Sequence, residues 1–380
     1  MRYVLAFCLC CWSALSAGAQ APQRAQPRPP KRAQAGARQV AAAAITIRGE
    51  ITGKTIAEDS LFFVRGEIDQ KYFARPLPPA RITNNAFRVA ATVAYPQMWR
   101  ILLKSDKPLR IYRDGEYFID ASTSRVTADY VAQECNQVDG ATATEYRNRF
   151  IPFFSAVGTP SDCHQSGFDG LARDRATRFD TTLYRYVQAN PASYVALWWL
   201  IERFSKFGHS QLREQTVAIF ASQVKASAPW QVLHTDMQHV LIKQGAPFPS
   251  FPVQGVAQNA LPLPLPQAQY TLVDFWFSHC RPCLESFPAL KDLYATYQAK
   301  GFEIVSISTD PTEDIPLWHK RITTYALPWP QYLDENAVAA TKSKVHMFPA
   351  TFLLDHAGNV LLRDITPEEL AKFLASKLGT

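Results

Sequence analysis

Cys280 and Cys283 stand across only Arg281 and Pro282 in the stretch FWFSHCRPCLESFP, residues 275–288. A Cys-x-x-Cys pair can be half of a zinc site, a redox dithiol, or two structural thiols that lie close. A zinc site needs two further ligands, and the sequence holds no second such pair. His234 and His239 are five residues apart, the wrong spacing for one helix face, so no metal is expected. His164 beside Cys163 suggests a Cys-His nucleophile, but sequence neighbours rarely face each other.

The elements around the pair favour redox chemistry. The apolar run YTLVDFWF reads as a buried strand, and RPCLESFPALKDLYATYQAK reads as a helix. Cys280 would then open the helix, where unpaired N–H groups and the helix dipole favour a thiolate. Cys283, one turn further in, comes within disulfide reach. Pro282 lacks a donor that the first turn does not need, and its fixed φ stiffens the loop. One exposed, activated sulfur beside a sheltered one is what exchange through a mixed disulfide requires.

The rest of this C-terminal part, residues 246–380, continues as an α/β unit. FEIVSIST is a second buried strand and DIPLWHKRITTY a helix. TFLLD and NVLLRD are strands around His356-Ala357-Gly358. Thr366-Pro367-Glu368-Glu369 caps a final helix with a capping box. The segment GAPFPSFPVQGVAQNALPLPLPQ leads into this unit and is rich in proline.

Upstream, residues 45–129 show short alternating runs (ITIRGEITG, LFFVRGEI, NAFRVAATV, WRILLK) and predict a small antiparallel β-sandwich. RIYRDGEYFID reads as two strands around a turn at Asp114-Gly115. Residues 130–245 turn helical, with Asn190-Pro191 expected to open the helix PASYVALWWLIERF. That run is too short to span a membrane and reads as a core helix.

The first 44 residues are of another kind. Arg2, the apolar run Tyr3–Leu15 and Ala17-Gly18-Ala19 predict a signal peptide, residues 1–19, cleaved before Gln20. Phe7, Leu9 and Cys10 fill the places where lipidation of Cys8, Cys10 or Cys11 needs small residues. A lipid or uncleaved anchor is therefore the lesser alternative to release. Residues 20–44 are a Pro/Ala/Arg-rich stretch expected to be a disordered linker. Six basic and no acidic residues lie before position 45, so the net charge of +7 leaves only +1 for the remainder. A nucleic-acid partner has no electrostatic support. Export would bring the chain to an oxidising compartment, where Cys135 and Cys163 could form a structural disulfide or remain two unlinked thiols.

TLVDFWFSHCRPCLESFP resembles the active-site segment of thioredoxins, and specifically of the exported TlpA/ResA-like branch. The resemblance spans about residues 246–378. It implies a thioredoxin-like fold and a thiol–disulfide oxidoreductase of the bacterial periplasm or cell envelope, working as a reductase of protein disulfides. In that scheme Cys280 attacks, Cys283 resolves, and Asp274 is the buried acid that assists proton transfer at Cys283. Pro288 is the proline that kinks the active-site helix, and Phe348, Pro349 and Ala350 form the cis-proline loop that holds substrate backbone. The redox-active disulfide Cys280–Cys283 replaces any metal or organic cofactor, and a membrane thiol donor would recycle it. The β-rich and helical parts resemble, more weakly, extensions fused to such domains.

Three positions depart from that pattern. His279 stands where tryptophan is usual, Ser286 where an acid is, and Phe348 where a smaller residue is. With Pro282, His279 and Arg281 are the expected tuners of the dithiol; positive charge stabilises a thiolate. A peroxidase of the peroxiredoxin type would need a threonine where Phe277 stands. An envelope-binding protein with a vestigial dithiol is the reading from another class.

Overall fold

The computed structural model describes residues 42–52, 59–66, 68–104, 114–129, 137–157 and 173–379. Residues 1–19, expected to be a signal peptide, residues 20–41, Cys135 and Cys163 lie outside them.

Alternating burial along Ile45–Ile51 places every second side chain in a core, as a half-buried strand requires. This strand, β1 (Ala43–Thr52), is joined by β2 (Ser60–Val64), β3 (Ala80–Arg81), β4 (Ala86–Val93), β5 (Gln97–Lys104), β6 (Asp114–Ile119), β7 (Arg125–Asp129) and β8 (Gln137–Val138). They form two four-stranded sheets, ordered β4-β1-β7-β8 and β3-β2-β5-β6. The sandwich is antiparallel apart from the β1–β7 pair, which runs parallel from Arg48↔Arg125. β7 reaches β1 by crossing from the other sheet, so no hairpin dictates its direction. Asp114 and Gly115 are not a turn: they open β6, with Asp114 opposite Ile101.

The helical part begins at Ala141 and includes helices Arg173–Ala189, Tyr194–Phe207, Gln211–Ala218 and Ala228–His239. The Tyr194–Phe207 helix is capped by Ser193, whose hydroxyl accepts from Ala196 N at 3.0 Å. Pro191 lies ahead of it, in a turn whose carbonyl accepts from Ala221 N. Ser193 is the better cap because its hydroxyl accepts from a helix N–H, whereas the Asn190 side-chain amide donates back to Tyr186 O at 3.1 Å. Trp198 and Trp199 of this helix are buried, the first against Phe73, the second against Phe150. One apolar cluster therefore runs from Ile47 through Met237, and sandwich and helices share a core.

Buried charges tie the same two parts together. Arg100 of β5 donates to Glu202 at 2.8 Å, and Lys206 reaches Glu202 at 3.0 Å. Glu116 of β6 lies 3.5 Å from Arg100 and accepts from the Tyr146 hydroxyl. A second network joins Asp180 to Arg203 at 2.8 Å and Arg213 at 2.7 Å.

The C-terminal part is a seven-stranded sheet of β9 (Pro252–Gly255), β10 (Ala260–Pro262), β11 (Tyr270–Trp276), β12 (Phe302–Ser308), β13 (Gln331–Leu333), β14 (Ala350–Asp355) and β15 (Val360–Arg363). Its order is β10-β9-β13-β12-β11-β14-β15. β11 and β12 are parallel and covered on both faces, which explains their unbroken apolar runs. The proline-rich segment supplies the β9–β10 hairpin at one edge. At the other edge residues 244–248 lie along β15: Gly245 N donates to Val360 O, Val360 N to Ala246 O, and Phe248 N to Gly358 O.

Candidate active site

β11 ends at Trp276 and the helix Arg281–Tyr297 begins five residues later, with Cys280 as its N-cap. Cys280 and Cys283 are joined in a disulfide, with Cα atoms 5.3 Å apart. The Cys283 N–H points at Cys280 Sγ, 3.3 Å away, so the cap acceptor is the sulfur itself. A negative sulfur formed there on reduction meets a helix N-terminus. The expected asymmetry in exposure is narrow in this oxidised state: Cys280 is 4% exposed and Cys283 is fully buried. Both sulfurs pack in the cluster with Trp276 and Phe287. Pro288 lies inside the helix, as the family pattern implies.

Asp274 is on β11, two residues before Trp276, and so shares the sheet face of Leu272 and Trp276, which belong to the cysteines' cluster. It is buried and opposite Ser306 of β12, whose hydroxyl donates to Asp274 Oδ2 at 3.0 Å. Trp329 Nε1 in turn donates to that hydroxyl at 2.8 Å. Burial pushes the Asp274 carboxyl up to about 7, and the single Ser306 bond only partly opposes this. A carboxyl poised near neutrality can hold or release a proton with little bias.

The Phe348-Pro349 peptide bond is cis. Phe348 meets Phe277 edge to face with ring centroids 5.4 Å apart, joining the proline loop to the segment before Cys280. Pro349 and Thr351 line a cleft of about 740 Å³ together with Pro282 and Ser286 of the dithiol helix. Ala350 can meet a substrate through its backbone alone. Its side chain is buried in the sheet core opposite Phe275, so it supports the loop and offers no side chain to a substrate.

Two expected tuners each have a carboxylate within reach. Arg281 projects into solvent, 88% exposed, and donates to Glu285 at 2.7 Å. Its charge is thus offset by a carboxylate one turn away. His279 is also exposed and lies 3.4 Å from Asp314. Ser286 donates to Cys283 O at 2.7 Å, a helix back-bond that gives it no acid's role.

Asp310 is the residue that sequence reasoning missed. It is fully buried, and its carboxylate accepts from Ser278 N at 2.9 Å, Ser278 Oγ at 2.8 Å and the Ser308 hydroxyl at 2.5 Å. Arg321 donates to Ser278 O from the other side. Ser278 is thereby pinned two residues before Cys280. The available signal was an acid directly after the strand FEIVSIST, at a strand end facing the cysteine loop.

Residues 244–363 match the AhpC/TSA family. The C-terminal domain is thioredoxin-like. ResA of Oceanobacillus iheyensis, a thiol-disulfide oxidoreductase, is 31% identical over 105 residues, which cover 28% of this chain and 54% of that protein. The chain thus spans about half the length of that relative. ResA of Bacillus anthracis is 28% identical over 133 residues, or 34% of this chain and 76% of that one. Among solved structures, the thioredoxin domain of a thiol-disulfide oxidoreductase from Bacteroides vulgatus is 27% identical, covering 36% of this chain and 97% of that one, with a TM-score of 0.33. A thiol-disulfide oxidoreductase from Bacteroides fragilis is 29% identical, with 34% and 96% covered and a TM-score of 0.31.

Proposed function

We propose that the protein is an exported thiol–disulfide oxidoreductase that reduces protein disulfides in a bacterial periplasm or cell envelope. The carrying observation is the dithiol at a helix start beside a cis-proline, with a buried acid on the same sheet face. In the reduced chain the Cys280 thiolate attacks one sulfur of the substrate disulfide. That bond breaks, and the other substrate sulfur leaves as a thiolate that takes a proton. Cys283 then gives its proton to Asp274 and attacks Cys280 Sγ in the mixed disulfide. The second substrate thiolate departs, and two electrons have passed from the dithiol to the substrate. The Cys280–Cys283 disulfide is the oxidised product of that turn. A membrane thiol donor would restore the dithiol. Among the described residues no helix is long and apolar enough to cross a membrane.

The test is trapping. Cys283→Ser should accumulate mixed disulfides with envelope proteins on non-reducing gels, whereas Cys280→Ser should not. Asp274→Asn should slow product release more than attack. Equal trapping by both cysteine variants, or none by either, would overturn the assignment.

A further inference from the structure

The cleft beside the dithiol has two walls from different parts of the chain. Pro282, Ser286 and Pro349 form one, and Phe207, Gln211 and Gln215 of the helical part form the other. We propose that the helical part completes the substrate site and that its occupant is an extended, uncharged polypeptide segment flanking the target disulfide. This rests on the exchange activity proposed above.

Position comes first. A chain that presents a sulfur to Cys280 crosses Pro282 and Pro349, and its neighbouring residues then enter the cleft. At about 740 Å³ the cleft is far roomier than two sulfur atoms need and falls within the ~300–1,000 Å³ of ligand sites.

Charge narrows the occupant. The cations in the lining already hold carboxylates: Lys206 with Glu202 at 3.0 Å, Arg213 with Asp180 at 2.7 Å, Arg363 with Asp364 at 3.2 Å. Glu368, also in the lining, adds a further carboxylate. A small anionic disulfide would bring a charge to paired cations and an acid, whereas a neutral segment has no charge to desolvate and needs only hydrogen-bond partners for its backbone.

Chemistry fits a peptide. Gln211 and Gln215 are exposed and four residues apart on one helix, so their amides lie one above the other on one face. Each offers both a donor and an acceptor to an extended backbone. Phe207, Leu290 and the exposed Met347 offer apolar contact to its side chains.

The second wall is held in place. Gln244 Nε2 donates to Leu361 O at 3.0 Å. Arg363 lies over Gly208, which has φ +60°, and a Cβ there would sit 2.0 Å from the guanidinium.

The experiment uses the full chain with Gln211→Trp and Gln215→Trp together, both at exposed positions. It compares kcat/KM for a disulfide-bridged peptide with neutral flanks against hydroxyethyl disulfide. The peptide-to-small-disulfide ratio should fall about tenfold or more. An unchanged ratio overturns the proposal while leaving the exchange activity intact. A wild type that turns over neither substrate overturns the exchange activity and this proposal with it. As a second measurement, the Cys283→Ser chain is trapped with a peptide carrying a benzophenone two residues from its cysteine. Cross-links are expected within 207–215, and cross-links confined to other residues overturn the proposal.

Discussion

Asp180 and Asp274 are both buried carboxylates, yet their surroundings push them in opposite directions. Asp180, in the helical part, sits between Arg203 and Arg213, which hold its carboxyl below the usual range despite the burial. Among the described residues Asp274, in the thioredoxin-like domain, has one hydroxyl and no cation beside it, and burial pushes it up to about 7. The difference separates two uses of a buried acid. A paired one fixes how helices meet; an unpaired one is left free to exchange a proton.

The comparison breaks first at Asp180. Asp180→Ala would strand two buried guanidiniums and should destabilise the chain by about 3–5 kcal/mol, read as a fall in urea midpoint. A loss within experimental error would mean that the arginines find other partners.

Asp274→Asn sharpens the contrast through pH. The folded chain holds a proton that the unfolded chain gives up near pH 4, so this group's contribution is fully present below that pH. It declines as pH rises from about 4 to about 7. The asparagine variant should therefore gain stability relative to wild type as pH rises, by up to ~4 kcal/mol at pH 8. Urea unfolding of both chains at pH 4 and pH 8 measures it. Parallel pH dependences would show that Asp274 ionises normally.

Asp310 tests a third case, a buried acid satisfied by neutral donors. Asp310→Asn turns an acceptor into a partial donor facing the Ser278 N–H. It should cost about 1–3 kcal/mol and slow alkylation of reduced Cys280. Unchanged alkylation with lowered stability would leave it a structural residue only.

The smallest effect belongs to the surface. Arg281→Gln should leave the melting temperature unchanged and barely alter exchange, because the Arg281–Glu285 pair is solvated. A large fall in exchange would restore Arg281 as a tuner of the thiolate.

The thioredoxin-like domain was legible because its signals are local. Strands buried on both faces are unbroken apolar runs, and the Thr366–Glu369 capping box is contained in four residues. The Cys-x-x-Cys pair was legible for the same reason, whereas Asp274 and the Phe348-Pro349 loop entered through the family resemblance, and the structure makes the first buried and the second cis. What escaped depends on partners distant in sequence. Asp310 looks like any strand-end acid until Ser278 is placed 32 residues away beside it. Ser193 and Asn190 compete as caps, and the fold decides by placing Ala221 on Pro191. The β1–β7 pair is parallel because of a crossing between sheets, which no periodicity encodes. The second wall of the cleft belongs to helices whose sequence carries no chemical motif.

The segment 244–248 along β15 has a consequence for handling the molecule. β15 is an outermost strand, and an unprotected strand of that kind recruits identical strands from neighbouring molecules. By occupying the backbone groups of Gly358 and Val360, the segment works as a built-in guard against self-association. A redox domain trimmed to begin after Phe248 would keep its dithiol but expose that rim, and would trade solubility for convenience.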